Sequence, residues 1–368
     1  MNRRVLLIEP NYKNKYPPMG LMKIATYYRR CKDDVRFYKG DLRTFAAQLL
    51  CEEFYKEIGE NSLAKHFSKL VDFIRIGRYS ILDTIPDFHD SANEELLKVY
   101  RHRYKNGNFP QFDVVGITTL FTFYWKQTVD TINYAKKFCA QDGKMLVGGI
   151  AATILPEFIY DETGIRPYVG LLDQPGALDE GNTDIIDELP LAYSILEEID
   201  YKYPAQNAYF GYMTRGCPRN CEFCAVKILE PEYKNYIGIQ NQIRYIDEHF
   251  GPQKDLYLMD NNVFASKCFN KIIDEINACG FGKGASFLPP NEYEVAIKNL
   301  QANYNPRAYI RKIIGVYDQI AKKLPEDEAG DFYLRREADG LLYVSSATAE
   351  HILDFDDIAR PLYSKYFP

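Results

Sequence analysis

Three cysteines lie close together in a chain of 368 residues that contains only eight. They are Cys217, Cys221 and Cys224 in the stretch RGCPRNCEFC, with the spacing Cys-x3-Cys-x2-Cys. A chain that leaves a strand and turns tightly can direct three side chains toward one point. Thiolates are soft, strongly donating ligands that suit zinc or the iron of an iron–sulfur cluster. The stretch therefore predicts a metal centre.

Two kinds of metal centre are compatible with three clustered cysteines. A structural zinc site prefers four tetrahedral ligands, usually supplied as two separated pairs. No second pair follows here, and the loose candidates for a fourth ligand are Cys268, Cys279 and His249. A four-iron cluster held by three cysteines keeps one iron open for a small molecule. We favour this open cluster over zinc and over ordinary buried cysteines.

The stretch RGCPRNCEFC resembles the cluster loop of the radical S-adenosylmethionine (SAM) enzymes, including the aromatic Phe223 directly before the third cysteine. The resemblance implies that Cys217, Cys221 and Cys224 bind a 4Fe–4S cluster and that Phe223 packs near the adenine of SAM. In that family the open iron takes the amino and carboxylate groups of SAM. One electron from the reduced cluster then cleaves a carbon–sulfur bond, usually releasing methionine and a 5′-deoxyadenosyl radical. A reducing partner such as flavodoxin or ferredoxin is implied as well.

A second stretch, LYLMDNNVFAS (256–266), resembles the second barrel strand and following turn of a radical SAM branch that carries a cobalamin-binding-type domain. Asp260, Asn261 and Asn262 would then lie where polar groups could hold the amino group or the ribose of SAM. The same residues suit a strand-ending turn with an asparagine helix cap equally well. Both interpretations stay open at this point.

The N-terminal region resembles the companion domain of that branch through YPPMG, DVVGIT and LVGG. Members that bind cobalamin often have an Asp-x-His-x-x-Gly signature whose histidine coordinates cobalt. The matching stretch here is GDLRTFA, which has Asp41 but no histidine two residues later. Cobalamin therefore either binds without a protein histidine or, as we expect, is not bound. Gly148 and Gly149 could permit close approach of a nucleotide, although a glycine pair after a strand usually marks a turn.

The segments that must position these residues alternate between short apolar runs and helical patterns. In the first half, the predicted strands are VLLIE (5–9), VRFYKGD (35–41), DVVGITT (113–119) and KMLVGG (144–149). This alternation predicts an α/β fold with a doubly wound, largely parallel sheet. A second unit repeats the rhythm of a β/α barrel, in which sites lie on loops after strand ends. Its predicted strands are AYFGYMT (208–214), DLYLMD (255–260) and GASF (284–287).

We expect four segments along the chain. They are a cobalamin-binding-like, Rossmann-type domain at 1–170 with a helical insertion at about 43–110, a linker at 171–207, a partial radical SAM β/α barrel at 208–287 and a helical segment at 288–368. A closed parallel barrel needs more than three strands, so the sequence supplies roughly half of one. The chain is therefore expected to be the N-terminal part of an enzyme, or a reduced form that a partner completes.

Composition argues against two classes of partner. The formal net charge is −6 and there is no basic stripe, so nucleic acid is not indicated. No stretch has the roughly 18 uninterrupted apolar residues of a membrane span, and MNRRVLLIEPNY has too short an apolar run for a signal peptide. We expect a cytoplasmic protein with reduced thiols, in which clustered cysteines indicate metal or catalysis before disulfides.

Two functional hypotheses follow. The first is a radical SAM protein, leaning toward an enzyme, that cleaves SAM reductively for radical chemistry on an unknown small-molecule or macromolecular substrate. The alternative is a non-catalytic or partner-completed module that holds an iron–sulfur cluster or zinc for structure.

Overall fold

A computed structural model describes residues 2–59, 63–85, 88 and 91–367. In these residues the strands are Arg4–Glu9 (β1), Asp34–Lys39 (β2), Phe112–Thr119 (β3), Cys139–Gly149 (β4), Ala208–Gly211 (β5) and Asp255–Leu258 (β6). The α-helices are Met19–Arg30 (α1), Leu42–Ile58 (α2), Phe67–Ile76 (α3), Ser91–Asn106 (α4), Trp125–Ala135 (α5), Ile150–Ile154 (α6), Pro156–Thr163 (α7), Val226–Leu229 (α8), Gln240–Phe250 (α9), Phe269–Ile276 (α10), Glu292–Gln301 (α11), Pro306–Ala321 (α12), Glu326–Ala338 (α13), Ala349–Asp354 (α14) and Asp356–Tyr366 (α15).

The chain divides into two compact units. The first comprises Met1–Lys39 and Phe112–Asn291, and the second comprises Gly40–Gln111 and Glu292–Pro368. This division differs from the predicted order of segments, because it groups the helical insertion with the C-terminal helical segment. It also groups the predicted partial barrel with the N-terminal sheet.

The first unit contains a four-stranded parallel sheet with the strand order β2-β1-β3-β4. The middle of β1, residues 5–8, is a continuous apolar run, and Val5, Leu6 and Leu7 are fully buried. Such runs are typical of parallel strands that are covered on both faces. The predicted mixed α/β fold with a parallel sheet is confirmed. Strand order reverses between β1 and β3, so the carboxyl ends of these strands form a topological switch point.

A buried ion pair lies at the carboxyl ends of β1 and β2. The Glu9 Oε2 and Lys39 Nζ atoms are 3.1 Å apart, and both side chains are almost fully buried. Asn14 donates to Glu9 and accepts from Lys39, each at 2.8 Å, and the Tyr203 hydroxyl also donates to Glu9. Burial raises the pKa of Glu9 and lowers the pKa of Lys39. These partners make the pair a closed polar network within the core.

β4 ends in the glycine pair Gly148 and Gly149. Gly149 has a φ of +108°, and a Cβ atom there would lie 2.4 Å from the carbonyl oxygen of Thr119 on β3. The close approach of the two strand ends therefore accounts for this glycine without a nucleotide.

Residues 171–207, predicted as a linker, pack into the first unit. In place of longer elements they form 3₁₀ turns at Ile186–Glu188 and Tyr193–Glu198. Their apolar side chains share a core with α1, β1 and β2, and the buried ones include Leu178, Leu189, Leu191, Ile195 and Ile199. The segment is therefore a packed part of this unit and not an exposed spacer.

β5 and β6 form a separate two-stranded parallel sheet. Helix α9 connects them, and α10 follows β6. The predicted third strand at 284–287 is wrong. Gly284 adopts a φ of +82° in a turn, and the residues after it have no regular secondary structure. Pro289 and Pro290 come next, and proline lacks the N–H group that a strand ladder needs.

The second unit is helical in its described residues, from α2 to α4 and from α11 to α15. Its C-terminal helices share an aromatic core that includes Tyr293, Tyr317 and Phe332. Asp41 caps α2, because its carboxylate accepts a hydrogen bond from the backbone N–H of Arg43 at 3.0 Å. This is an ordinary helix N-cap role for aspartate.

Candidate metal centre

The loop that carries the three cysteines follows β5 and is closed at its base by an isolated antiparallel bridge. The N–H of Arg215 donates to the carbonyl of Lys234 at 3.1 Å, and the N–H of Lys234 donates back at 3.0 Å. Residues 216–233, which we call the cysteine loop, lie between these two residues. The bridge therefore fixes both ends of the cysteine loop beside the end of β5.

Gly216 occupies a position at the base of the cysteine loop that has no space for a side chain. Its φ of +67° lies in the left-handed region that favours glycine. A Cβ atom there would lie 2.5 Å from the carbonyl oxygen of Glu232 and 2.9 Å from that of Glu230. The N–H of Gly216 donates to the Glu230 carboxylate at 2.7 Å. The turn directly before the first cysteine therefore excludes any side chain.

A network of charged side chains lies beneath the cysteine loop. The Arg215 guanidinium is 2.9 Å from the Glu230 carboxylate and 3.2 Å from the Asp187 carboxylate. It also lies over the ring of Tyr212, 4.0 Å from its centroid. Lys23 on α1 pairs with Asp187 at 3.1 Å. Burial by itself would raise the pKa of Asp187, but the charges of Lys23 and Arg215 bring that pKa below its ordinary value.

The three cysteines differ in how firmly they are held. The Cys217 sulfur accepts hydrogen bonds from the Asn262 Nδ2 atom at 3.4 Å and from the backbone N–H of Arg219. These two donors lower the pKa of Cys217, because hydrogen bonds to the sulfur favour the thiolate. Cys221 is exposed, and the half-buried Cys224 donates its N–H to the Cys221 carbonyl at 3.1 Å. Cys217 is therefore the best anchored of the three cysteines, and its hydrogen bonds favour the thiolate.

The donor set fits a thiolate-bound metal, since all three loop cysteines are free thiols. In the part of the chain that the structure describes, no three His, Cys, Asp or Glu side chains are grouped so that they could hold a metal ion. Residues 218–223 are exposed, so the chain between Cys217 and Cys224 has room to move. Cys217, Cys221 and Cys224 are the residues that would hold a cluster or zinc after such a movement.

Asp260 follows β6 and binds the chain that leads into the cysteine loop. Its carboxylate accepts hydrogen bonds from the N–H of Met213 at 3.1 Å, from the N–H of Thr214, and from the Thr214 hydroxyl at 2.5 Å. Three donors thus converge on one carboxylate. The segment between β5 and the first cysteine is therefore fixed from the neighbouring strand.

Asn261 and Asn262 contact the cysteine loop as well. Asn261 donates to the Glu230 carboxylate at 2.6 Å, and Asn262 donates to the Cys217 sulfur. Asn262 precedes the 3₁₀ turn Val263–Ala265, but its side chain makes no capping hydrogen bond. The structure thus brings the predicted residues together with Cys217, and their role toward SAM stays a prediction.

The remaining predicted residues lie apart from this arrangement or face solvent. Phe223 is 94% exposed, so its predicted contact with adenine stays a prediction. Cys268 accepts a hydrogen bond from Asn235 at 3.1 Å. Burial raises the pKa of Cys279, and the His249 ring stacks on a tyrosine. Among the described residues, none of these three joins the loop cysteines in a metal-binding group.

Sequence reasoning missed the charged network beneath the cysteine loop. Arg215 stands inside the quoted motif, so its position next to a metal-binding pattern was a usable signal. Glu230 and Asp187 gave no such signal, because a single carboxylate in an acidic or loop-rich stretch is usually solvated. Only the folded chain pairs them with Arg215.

Comparison of this chain with protein-family models, with curated proteins and with solved structures finds no match. A membrane-spanning helix is also not found in the described residues, since none of their helices is both long enough and apolar enough.

Proposed function

We propose that this chain is a radical SAM protein that binds a 4Fe–4S cluster through Cys217, Cys221 and Cys224. The observation that carries the proposal is the position of the Cys-x3-Cys-x2-Cys motif on a loop directly after a parallel strand. The first of its sulfurs already accepts two hydrogen bonds that favour a thiolate. Cysteine ligation of iron requires that ionised form.

The proposed cluster would supply the single electron that cleaves SAM and starts radical chemistry on an unknown substrate. The residues of this chain bind and orient. The three thiolates would hold the metal, and the exposed Phe223 would be available to pack against an adenine ring. Thr214, Arg215 and Gly216 lie buried beneath the motif and exclude water from its base.

The proposal includes an incomplete barrel. The support for it is that β5 and β6 are two adjacent parallel strands with α8 and α9 between them, as the first two strands of a β/α barrel would be. A partner or a further part of the protein would supply the remaining strands that line a substrate pocket. A cytoplasmic location and a flavodoxin or ferredoxin as electron donor belong to the same proposal, because the motif needs reduced thiols and a reductant.

The test is anaerobic reconstitution with iron and sulfide. We expect a brown protein whose broad absorbance bleaches with dithionite, with Mössbauer parameters of a 4Fe–4S cluster. Addition of SAM should then yield 5′-deoxyadenosine or a related cleavage product. A protein that stays colourless after reconstitution contradicts the proposal.

A second candidate is a non-catalytic module that keeps zinc or a cluster for structure. The observation that favours it is that, within the described residues, the β5–β6 sheet has two strands, fewer than a barrel pocket needs. Metal analysis combined with SAM titration distinguishes the two candidates. Tightly held metal without SAM binding supports the module, whereas SAM binding that depends on the cluster supports the radical SAM protein.

A further inference from the structure

Three consecutive residues after β6 form hydrogen bonds to three different sites in the cysteine loop and in the chain that leads into it. Asp260 binds the backbone of Met213 and Thr214, Asn261 binds Glu230, and Asn262 binds the Cys217 sulfur. The contacts come from adjacent positions, so one short segment fixes the loop base as a unit.

The four backbone N–H groups of residues 213–216 are all hydrogen-bonded through these and related contacts. The N–H groups of Met213 and Thr214 donate to Asp260, that of Arg215 donates to Lys234, and that of Gly216 donates to Glu230. Residues 213–216 are all buried. Because four successive N–H groups are hydrogen-bonded and lie in buried residues, we infer that this segment is rigid.

The outer part of the cysteine loop, residues 218–223, is exposed, in contrast to the buried segment 213–216. Cys221 lies in this exposed part. The loop therefore has a fixed base that includes Cys217 and an outer part that carries the second cysteine. The third cysteine, Cys224, lies two residues before α8 begins.

We propose that Asp260, Asn261 and Asn262 form a clamp that holds Cys217 in position before any metal binds. Cys217 is then the fixed ligand, and Cys221 and Cys224 close onto the metal afterwards. This inference rests on the proposed function for the identity of the metal, but the clamp itself belongs to the metal-free chain. It assigns the three residues to positioning the loop, and Asp260 in particular has its carboxylate engaged by three donors.

Hydrogen exchange followed by mass spectrometry tests the clamp in the full chain without metal. We expect slow exchange at residues 213–216 and fast exchange at residues 219–223. After anaerobic loading with iron and sulfide, exchange at 219–223 should slow while 213–216 stays as before. Fast exchange at 213–216 in the metal-free chain overturns the clamp.

The variant Asp260→Asn places an amide group against the donors of Met213 and Thr214. We expect exchange at these two residues to accelerate about ten-fold or more, because a charge-assisted hydrogen bond is lost. Thr214→Val removes only the hydroxyl donor to Asp260 and is the replacement variant if Asp260→Asn fails to fold. Unchanged exchange in the folded variant overturns the role of Asp260.

Asn262→Ala tests the contact to the sulfur through a property that fold stability alone does not move. Loss of a hydrogen bond to a ligating sulfur should lower the midpoint potential of the loaded cluster, and Asn262→Gln should restore part of the shift. Asn235→Ala is the matched control, since Asn235 donates to Cys268, which lies outside the motif. Equal potentials in Asn262→Ala and wild type contradict the positioning role.

The outcomes for the clamp and for the proposed function are separable. If wild-type protein binds no iron, the proposed function fails, and the metal-free exchange pattern still decides whether the clamp exists. If iron binds but residues 213–216 exchange fast without it, the clamp fails and the proposed function stands.

Discussion

The Arg215 guanidinium lies 2.9 Å from the Glu230 carboxylate across the base of the cysteine loop, with both side chains nearly buried. The same carboxylate accepts hydrogen bonds from the Gly216 N–H and from Asn261. One acidic side chain thus joins the start of the loop, its end and the segment after β6. We infer that this carboxylate is the main electrostatic support of the loop.

Glu230→Gln tests that inference. The substitution keeps the size of the side chain but removes its charge and turns an N–H₂ group toward donors. We expect a loss of about 2–3 kcal/mol in the free energy of unfolding, because hydrogen bonds to a charged acceptor are weakened while Arg215 keeps Asp187 as a second partner. Urea titration measures it. Glu232→Gln, two residues away and exposed, is the control and should leave stability unchanged; similar losses in both variants refute the role of Glu230.

Gly216→Ala should damage the loop base more than a left-handed conformation alone explains. Gly164 has nearly the same φ, +65°, but open space where a Cβ would lie, whereas at Gly216 the Cβ would meet two backbone carbonyl oxygens. Gly164→Ala should therefore cost about 1 kcal/mol of unfolding free energy from backbone strain. Gly216→Ala should cost at least about 1–2 kcal/mol more, because backbone must move. Equal costs in urea titrations contradict a steric demand at Gly216.

Serine substitution of the cysteines should separate ligands from bystanders. Cys217→Ser, Cys221→Ser and Cys224→Ser should each abolish the dithionite-sensitive absorbance of the reconstituted protein, since an alcohol does not replace a thiolate at iron. Cys268→Ser is the matched control, because Cys268 is a half-buried thiol with an asparagine donor like Cys217. Iron content is measured in parallel. Retention of the cluster in any of the three loop variants removes that residue from the ligand set.

The sequence allowed the sheet strands and the cysteine loop to be predicted because both depend on local patterns. The buried run Val5–Ile8 and the cysteine spacing are visible in the letters alone. The strand predicted at 284–287 does not form. A short local sequence does not determine whether a neighbouring strand is there to pair with it, and Gly284 places a turn at this position. The packing of 171–207 was missed because its buried residues lack any period. The contacts of Asp187 and Glu230 with Arg215 come from residues distant in sequence, which no local pattern encodes.

The charge on Asp187 should make the stability of the first unit depend on pH in the acid range. The folded-state pKa of Asp187 is lowered from its ordinary value of 3.8. At pH values above 3.8 the ionised carboxylate therefore contributes its full stabilisation to the fold. This stabilisation is lost as the pH falls through the folded-state pKa. We expect Asp187→Asn to be less stable at pH 7 and to show a shallower decline in unfolding free energy below about pH 4.

Equilibrium unfolding of Asp187→Asn and wild type at a series of pH values measures this effect. Asp142→Asn is the control at an exposed position on β4 and should follow the wild-type curve. A variant whose acid decline parallels that of wild type shows that Lys23 and Arg215 do not set the ionisation of Asp187 as described.

The buried Glu9 and Lys39 side chains should be energetically coupled. Removal of either charge leaves the other unpaired in the core, which should lower the free energy of unfolding. Lys39→Met leaves the Glu9 carboxylate in the core without its cation, which should cost about 3–5 kcal/mol near neutral pH. In that variant the Lys39 charge no longer opposes the effect of burial, so the folded pKa of Glu9 rises further. Stability should therefore increase as the pH falls toward about 5 and be lost as the pH rises through the folded pKa. Wild type should gain less stability over that interval, because the Lys39 charge lowers the pKa of Glu9 and so offsets part of the effect of burial.

The double variant Glu9→Gln with Lys39→Met removes both charges while Asn14 and Tyr203 keep polar partners. We expect it to recover at least about 1–2 kcal/mol relative to Lys39→Met and to lose the stabilisation on acidification. Urea titrations of the four proteins in this cycle, at neutral and at mildly acidic pH, provide the coupling energy. Because the cost arises from an unpaired charge, additive losses of the two substitutions would show that Glu9 and Lys39 do not interact in the core.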